Sequence, residues 1–413
     1  VFSDLVNVKY FKSRGYSIIY AAKLKQNIRS QSIMANLSKP FVFGISVDSK
    51  HFIGREKEIE RLSANFRYGV NTIMISPRRI GKTSLVKQVS KTIEDKNIKI
   101  VHLDIFSCRS EYDFLNMFAS ALLQQTSSHA DEWKQNIRDF LARVTPKITL
   151  SPDPTQEFSI SLGITPKTYK PEEILNLPQL IAEKRGYHIV MCIDEFQQIG
   201  DFPDSLTVQK KMRTIWQHQQ NVSYCLYGSK KNMMSALFQQ QSKPFYKFGQ
   251  IMTLDTIPTE TWVPYICSRF ATEGKSIPEE IAAEICSMVN NHSSYVQELA
   301  YNTLLRTRET VTTMANLQSA FNDLLDDNTT YFIEKTERLT SYQLNFIHAI
   351  IDGIHNNFGM KEVREGYHLG SPSNIVRIKT ALQEREIIDI NDKGTFISDP
   401  VMEKWMQLRF EWY

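Results

Sequence analysis

Short apolar runs alternate with amphipathic stretches along the first part of the chain. The runs are rich in β-branched residues, which is typical of strands buried in a parallel sheet. They lie at 72–75, 98–105, 188–193, 222–227 and 250–254. Between them, apolar residues recur at steps of three and four, and this spacing predicts helices that pack on the sheet, at 56–66, 84–89, 111–125 and 205–220. The alternation predicts an α/β domain.

The pattern becomes helical from Pro258 onward. Apolar residues at helical spacing predict four helices, at 262–271, 279–290, 294–307 and 316–325. We interpret them as a small helical bundle that lies against the sheet domain. A polar stretch at 329–338 predicts a linker helix.

The chain after Leu339 has the pattern of a winged helix. Three short helices are predicted at 341–354, 360–366 and 373–385. A hairpin with a favourable turn sequence follows at 387–398. In this arrangement the helix that begins at Ser373 is the recognition helix. Pro400 then begins a terminal helix.

Shifts in composition divide the chain into four segments, namely 1–40, 41–257, 258–328 and 329–413. The first is basic and nearly free of acids, and its short apolar patch does not fit a signal peptide. We interpret it as upstream sequence or a poorly ordered extension, with a basic binding arm as the alternative. Within the second segment, a helix is expected at 131–143, and a small strand is expected at 158–162 inside a surface insertion.

Composition narrows the class of protein. The 413 residues predict two or three domains, and 42% hydrophobic with 23% charged residues is a globular composition. A net charge of +4 permits nucleic-acid contact without arguing for it. The five cysteines are scattered, which excludes a disulfide framework or a zinc motif and favours a reducing cytoplasm. No apolar segment is long enough to span a bilayer.

The candidate chemistry begins in the loop that follows the strand at 72–75. The loop and the start of its helix consist of Ser76, Pro77, Arg78, Arg79, Ile80, Gly81, Lys82, Thr83 and Ser84. Backbone N–H groups and the helix dipole converge on an anion in such a loop. Lys82 would reach the β- and γ-phosphates of a nucleotide, and the Thr83 hydroxyl would hold Mg²⁺. Ser76 stands where the general pattern has glycine.

Polar residues also end two later strands. Asp194 and Glu195 follow a fully apolar run, and Ser229 follows the next run along the chain. The carboxyl ends of parallel strands form the edge where ligands bind in open α/β folds. Asp194 would hold Mg²⁺, Glu195 would deprotonate the attacking water, and Ser229 could bond the γ-phosphate or that water. A solvated acidic turn and a turn-forming Gly-Ser are the structural alternatives.

Four stretches together resemble the archaeal-type ATPase family of P-loop proteins, which belongs to the broad AAA+/STAND kind. They are 52–56, 76–84, 193–195 and 291–300. The tail from Leu339 is similar to the winged helix that often ends such chains. The resemblance implies an ASCE-type P-loop NTPase sheet, a helical lid and a C-terminal winged helix. It further implies that Gly54 and Arg55 flank the adenine, that Ser229 is a sensor, and that His292 and Tyr295 sit over the nucleotide.

The sequence therefore predicts a slow ATPase that uses ATP and Mg²⁺ and whose nucleotide state repositions the winged helix. The main alternative is a DNA-binding regulator with a structural nucleotide site, because Arg377, Lys379 and Arg385 lie on or beside the recognition helix. Protein contact through the winged helix, homo-oligomerisation on ATP and, more weakly, phosphotransfer also remain open. No arginine finger is identifiable, although Lys247 and Arg269 are candidates, as is Lys275.

Overall fold

A five-stranded parallel sheet lies at the centre of the N-terminal half. The computed structural model describes residues 39–127, 170–410 and 412, and the elements below all belong to the unit Phe41–Tyr413. The helix expected at 131–143, the strand expected at 158–162 and nearly all of the predicted N-terminal extension lie outside the described residues. The strands are β1 Thr72–Ile75, β2 Ile98–Asp104, β3 His188–Asp194, β4 Val222–Gly228 and β5 Gln250–Thr253.

The strand order is β2-β3-β4-β1-β5, and every neighbouring pair is parallel. Strand β4 is thus inserted between β1, which leads into the phosphate loop, and β3, which ends at Asp194. The three carboxyl ends therefore meet at one edge of the sheet. This arrangement confirms the predicted ASCE-type P-loop sheet.

Helices cover both faces of the sheet. They are α1 Glu56–Arg67, α2 Lys82–Thr92, α3 Glu111–Thr126, α4 Pro171–Leu175, α5 Leu177–Arg185, α6 Ser205–Trp216 and α7 Lys231–Gln239. Because side chains alternate across a strand, Ile189 and Met191 of β3 pack with α3 and α6, whereas Val190 and Cys192 pack with α1 and α2. The result is two apolar cores, one on each side of the sheet.

The C-terminal half consists of helices and one hairpin. The elements are α8 Thr259–Thr272, α9 Glu279–Met288, α10 Ser293–Arg306, α11 Met314–Thr336, α12 Ser341–Ile351, α13 Lys361–Gly366, α14 Pro372–Glu384, β6 Ile388–Asn391, β7 Gly394–Ile397 and α15 Pro400–Arg409. Strands β6 and β7 pair antiparallel. The predicted lid and winged helix are thereby confirmed as folds.

One long helix replaces two predicted elements. The sequence indicated a lid helix at 316–325 and a separate linker helix at 329–338, but α11 runs through both as a single element of 23 residues. A capping box between Thr313 and Asn316 starts it, and no glycine or proline interrupts it. Its buried face extends to Phe332 and Thr336, so tertiary packing continues across the polar stretch.

The lid and the winged helix share one apolar core. Buried residues of α8 to α11 and of α12, α14, α15 and the hairpin form a single cluster that is separate from the two sheet cores. Phe332 packs against Trp405, with ring centroids 5.6 Å apart, and the Trp405 indole donates to Thr329 Oγ1 at 3.1 Å. The lid bundle also contacts the sheet domain, as expected, since its cluster includes Phe41 and Ile257. What the sequence did not indicate is that the same apolar core continues into the winged helix.

None of the described helices has the length and apolar character needed to cross a lipid bilayer. All five cysteines lie in the described part of the chain, and each is a free thiol.

Candidate functional site

The phosphate loop has the conformation needed to wrap an anion. Arg79 and Gly81 both adopt positive φ, at 58° and 104°. Gly81 is the N-cap of α2, so the first N–H groups of that helix point into the loop. Ser76 is buried and is not among the residues with positive φ, so the serine fits where the general pattern has glycine.

Lys82 is folded back on the loop that precedes it. Its Nζ donates to the Ser76 carbonyl at 2.9 Å and to the Pro77 carbonyl at 2.6 Å. Burial lowers the pKa of Lys82 to about 8, although the nearby carboxylates of Asp194 and Glu195 oppose that shift. A buried ammonium with two neutral partners is suited to bind a phosphate, which would supply the missing negative charge.

Arg55 holds the phosphate loop through a hydrogen bond to the loop backbone. It is 8% exposed and adopts a φ of 73°. Its guanidinium donates to the Ile80 carbonyl at 3.1 Å and pairs with Glu58 at 3.0 Å. Gly54, the residue before it, also has positive φ and lies against Ile257. Arg55 and Gly54 were predicted to flank an adenine, and the structure adds that Arg55 fixes the phosphate loop.

Oxygen ligands meet at the sheet edge. The Thr83 hydroxyl donates to Asp194 Oδ2 at 2.6 Å, and the Glu195 backbone N–H donates to Asp194 Oδ1 at 2.8 Å. Burial raises the pKa of Asp194 to about 6, and the hydrogen bond from Thr83 opposes this rise. Asp104 lies opposite Asp194 in the β2–β3 register. In the described ranges no group of three or more His, Cys, Asp or Glu side chains could hold a metal by itself.

The carboxylate of Glu195 is held by two side chains. Ser229 Oγ donates to Glu195 Oε2 at 2.9 Å, and Gln197 donates its amide hydrogen to the same oxygen. Glu195 itself adopts a φ of 54°, in the left-handed region. Ser229 was predicted as a sensor at the sheet edge, and it lies there beside Glu195. Gln197 was not predicted.

These groups line one cavity of about 480 Å³. Its walls come from the segment 42–53, the phosphate loop from Arg79 to Ser84, the strand ends and the lid. A cavity of this size and mixed polarity is typical of a small-molecule site. The predicted residues that line it are Arg55, Arg79, Ile80, Gly81, Lys82, Thr83, Ser84, Asp194, Glu195 and Ser229.

The lid residues are distributed over two cavities. His292 and Tyr295, predicted to cover the nucleotide, line a second cavity of about 450 Å³, together with Pro77, Arg78 and Arg79. In the first cavity the lid contributes Trp262, Ser293, Ser294 and Gln297 instead. Because α10 begins at Ser293, neighbouring residues point to different sides of its first turn.

Both halves of the C-terminal region contact the phosphate loop. From the lid, His292 Nε2 lies 3.1 Å from the Arg78 carbonyl. From the winged helix, Glu386 pairs with the Arg78 guanidinium at 3.2 Å. Tyr295 donates to Asp399 Oδ2 at 2.9 Å, which ties the lid to the cap of α15. The loop is therefore in contact with the lid and the winged helix at once.

A second set of polar contacts joins the winged helix to α7. Lys231 pairs with Asp389 of β6 at 2.5 Å, and Asn232 donates to the Gln383 carbonyl at 2.9 Å. Both residues of α7 follow Ser229 closely in the chain. We call the pairs Arg78–Glu386 and Lys231–Asp389 the winged-helix contacts.

Sequence reasoning missed several residues at the site, and one signal could have found two of them. Asp104 ends an apolar strand beside β3, and Gln197 follows the paired acids by two positions. A polar residue at a strand end next to the acidic strand marks the same sheet edge. Trp262 and Gln297 reach the cavity from the lid. Gln297 lies within the resembling stretch 291–300, whereas Trp262 has no local signal because only tertiary packing brings it there.

The fold of this chain matches those of solved structures, whereas its sequence matches no protein-family model and no curated protein. A Walker-type ATPase of Pyrococcus abyssi superposes with a TM-score of 0.65 at 14% identity, covering 90% of this chain and 100% of that one.

The ORC2 protein of Aeropyrum pernix, solved as ADPNP–ADP complexes, superposes with a TM-score of 0.53 at 13% identity, covering 87% of this chain and 96% of that one. Its ADP form gives a TM-score of 0.52 at 11% identity over 90% and 97% of the two chains. At these identities the likeness concerns the fold. Sheet order, phosphate loop and superposition agree, and the chain has the fold of the Walker-type AAA+ ATPases, as its sequence resemblance predicted.

Proposed function

We propose that this protein binds ATP with Mg²⁺, hydrolyses it slowly, and uses the nucleotide state to reposition its winged helix. The observation that supports this best is the convergence of Lys82, Thr83, Asp194 and Glu195 on one cavity at the end of the sheet. Two of the superposed structures are described as complexes with ADP or ADPNP, which favours an adenine nucleotide as the ligand.

Each residue has a distinct task in this proposal. Lys82 and the backbone N–H groups of the loop bind the β- and γ-phosphates. Thr83 and Asp194 fit Mg²⁺, because both supply hard oxygen ligands and a magnesium ion keeps several waters and phosphate oxygens as its other partners. When bound, the ion would neutralise charge on the transferred phosphoryl group. Glu195 accepts the proton of the water that attacks the γ-phosphorus.

The coupling to the winged helix rests on shared contacts. The phosphate loop contacts both the lid, through His292, and the winged helix, through Glu386. Because the lid and the winged helix have one common core, a change in the loop acts on a single C-terminal body. Nucleotide binding next to Arg78 therefore biases how firmly that body is held.

Turnover and binding measured separately test the enzymatic part. Wild-type protein should release phosphate from ATP. Glu195→Gln should bind ATP normally but release phosphate at least about tenfold more slowly. Lys82→Ala should bind ATP poorly. Glu111→Gln is the matched carboxylate control and should keep wild-type turnover, because Glu111 pairs with Lys211 and does not line the cavity. Equal turnover by wild type and Glu195→Gln would remove Glu195 as the base, and unchanged ATP binding by Lys82→Ala would refute the site.

The DNA-binding alternative receives less support from the contacts. The Lys379 ammonium lies 4.8 Å from the Phe358 ring centroid, and Arg385 donates to the Arg338 carbonyl at 2.8 Å. Both cations are thus engaged within the winged helix, while Arg377 is exposed. A mobility-shift series over salt concentration separates the readings, since phosphate contacts give a steep salt dependence. Light scattering with and without ATP tests the oligomerisation alternative.

A further inference from the structure

Gln197 is a buried side chain with one useful hydrogen bond. It lies two residues after Glu195 in the short 3₁₀ helix Phe196–Asp201, and it is 1% exposed. Its amide nitrogen donates to Glu195 Oε2, whereas its own Oε1 is buried without any hydrogen-bond partner in the described structure. An orphaned buried acceptor is a cost to folding, so this glutamine is a poor choice for stability alone.

The bond from Gln197 converges with others on a single oxygen. Ser229 Oγ donates to Glu195 Oε2 at 2.9 Å, and the Ser229 backbone N–H approaches it at 3.4 Å. Among the described residues, no hydrogen bond involves the other oxygen, Glu195 Oε1. Donors from two chain segments thus hold the carboxylate by one side and leave the other side available.

The glycine at position 228 makes room for this amide. A Cβ placed on Gly228 would lie 1.8 Å from Gln197 Oε1 and 2.9 Å from its Cδ. Gly228 has no positive φ, so its backbone conformation would accept another residue. The requirement for glycine here is space for the Gln197 amide, at the end of the strand that delivers Ser229.

The turn that carries Gln197 is also firmly anchored. Phe196, which lies between Glu195 and Gln197 in the chain, is fully buried. Its ring centroid lies 5.4 Å from that of Phe245 and 5.7 Å from that of Phe238. This packing fixes the backbone on which both polar side chains stand. A rigid turn and a buried amide are what positioning a reactive carboxylate needs.

We propose that Gln197 is a positioning residue, which with Ser229 holds Glu195 by Oε2 so that Oε1 faces the attacking water. The proposal rests on the proposed hydrolysis. In that step a proton passes from water to Glu195 Oε1, the water oxygen bonds to the γ-phosphorus, and the bond between that phosphorus and the β–γ bridging oxygen breaks. ADP leaves with the electron pair of the broken bond, and inorganic phosphate is formed.

The variant Gln197→Met removes the amide donor and keeps the side-chain length. We expect kcat for ATP to fall about tenfold to a hundredfold, because a reactive group displaced by about 1 Å loses rate on that scale. The KM should stay unchanged, since Gln197 is not among the residues that line the cavity. The melting temperature should stay equal or rise, because the orphaned Oε1 is removed as well.

Gln209→Met is the matched control. Gln209 is 3% exposed, its Oε1 also lacks a partner, and its amide donates to one side chain, that of Ser205. It lies on α6 and does not line the cavity, so kcat should equal that of wild type. Gly228→Ala provides a second route to the same amide and should lower kcat in the same way as Gln197→Met.

A double-mutant cycle decides whether Gln197 acts through Glu195. In a Glu195→Gln background, Gln197→Met should cause no further loss of kcat. A further loss there, or wild-type kcat in the single variant Gln197→Met, would overturn the role of Gln197 while leaving the proposed function intact. Wild-type turnover in Glu195→Gln, or no turnover in wild-type protein, would instead overturn the proposed function and this inference with it.

Discussion

Lys82 is a cation that the fold holds in a costly place. Lys82 is 6% exposed, and its ammonium donates to two backbone carbonyls. The desolvation of its charge therefore lowers the stability of the fold as long as no anion is bound. Asp194 is the complementary case, a carboxylate whose burial raises its pKa to about 6. The proposed ligand would offset both buried charges, since its phosphates would pair with the Lys82 ammonium and its Mg²⁺ with the Asp194 carboxylate.

The affinity for ATP should depend on pH through Lys82. The pKa is about 8 in the free protein, and a bound triphosphate favours the ammonium and raises it. Binding is therefore strongest below pH 8 and should weaken by up to about tenfold per pH unit above it. Calorimetry in two buffers of different ionisation enthalpy should also show proton uptake above that pH.

Lys87 provides the control for this experiment. It lines the same cavity and bonds Ser46 Oγ at 3.0 Å, on the exposed side. Lys87→Arg should leave the pH dependence in place, whereas Lys82→Arg should remove it together with much of the affinity. An affinity that does not change with pH in the wild type would contradict the assignment.

The substitution Asp194→Asn should stabilise the nucleotide-free protein. Because burial raises the pKa from 3.8 to about 6, the folded state binds more protons than the unfolded state between these values, and stability falls as pH rises through them. Above pH 6 the charged carboxylate costs roughly 1–3 kcal/mol.

Urea unfolding measures this gain. Asp194→Asn should be more stable than wild type at neutral pH and about equally stable near pH 3.8, where the native carboxyl is protonated. The exposed neighbour Asp104, changed to Asn, should show little difference at either pH. A gain that persists at the lower pH would mean that desolvation of the charge is not its cause.

At the scale of elements, the winged-helix contacts connect α7 and the phosphate loop with β6 and the end of α14. Lys231–Asp389 is half-exposed, and Arg78–Glu386 is exposed on the arginine side. Ion pairs of this kind contribute about 0–1 kcal/mol each. Each pair is therefore too weak to fix the docked arrangement by itself and can only bias it.

Charge reversal tests this bias. Lys231→Glu should raise the hydrogen-exchange rate of β6 by up to about fivefold, which corresponds to the loss of about 1 kcal/mol. The double variant Lys231→Glu/Asp389→Lys should restore the wild-type rate. Arg306→Glu, which breaks the pair with Asp323 inside the lid, is the control and should leave β6 unaffected. Failure of the double variant to restore protection would show that the pair does not hold β6.

For the whole molecule, the separation of cores decides which parts unfold together. Buried residues of the lid and the winged helix belong to one cluster, and the two faces of the sheet have their own. The C-terminal cluster also includes Phe41 and Ile257 of the preceding segment, and the Phe41 ring packs edge-to-face on Tyr265 with centroids 6.2 Å apart. The lid and the winged helix should therefore unfold as one unit.

Removing one aromatic ring from the common core should loosen both of its parts. Phe332 is fully buried in α11 against Trp405, and Phe332→Ala should cost about 3–5 kcal/mol. Hydrogen exchange should increase together in α9 and α10 of the lid and in α12 and α15 of the winged helix, while β3 keeps its protection. Phe106→Ala, at a 71% exposed phenylalanine, is the control. Faster exchange confined to one part would contradict a shared core.

The hydrophobic pattern of the sequence was enough to locate the five strands, the phosphate loop and most of the helices, but it did not indicate the helices at 171–185 and 231–239. Strand and helix periods are set by neighbouring residues, so Thr72–Ile75, the loop up to Thr83 and the acids after β3 could be identified directly. The meeting of Thr83 with Asp194, 111 positions apart, also followed, because strand ends of a parallel sheet converge.

Tertiary structure alone decided the contacts that no period encodes. The Gln197 amide reaches Glu195 because Gly228, on another strand, leaves space for it. His292 rests on the Arg78 carbonyl, and α11 continues past the polar stretch because Phe332 finds Trp405. These outcomes depend on packing between segments distant in the chain, where shape and burial outweigh local preference.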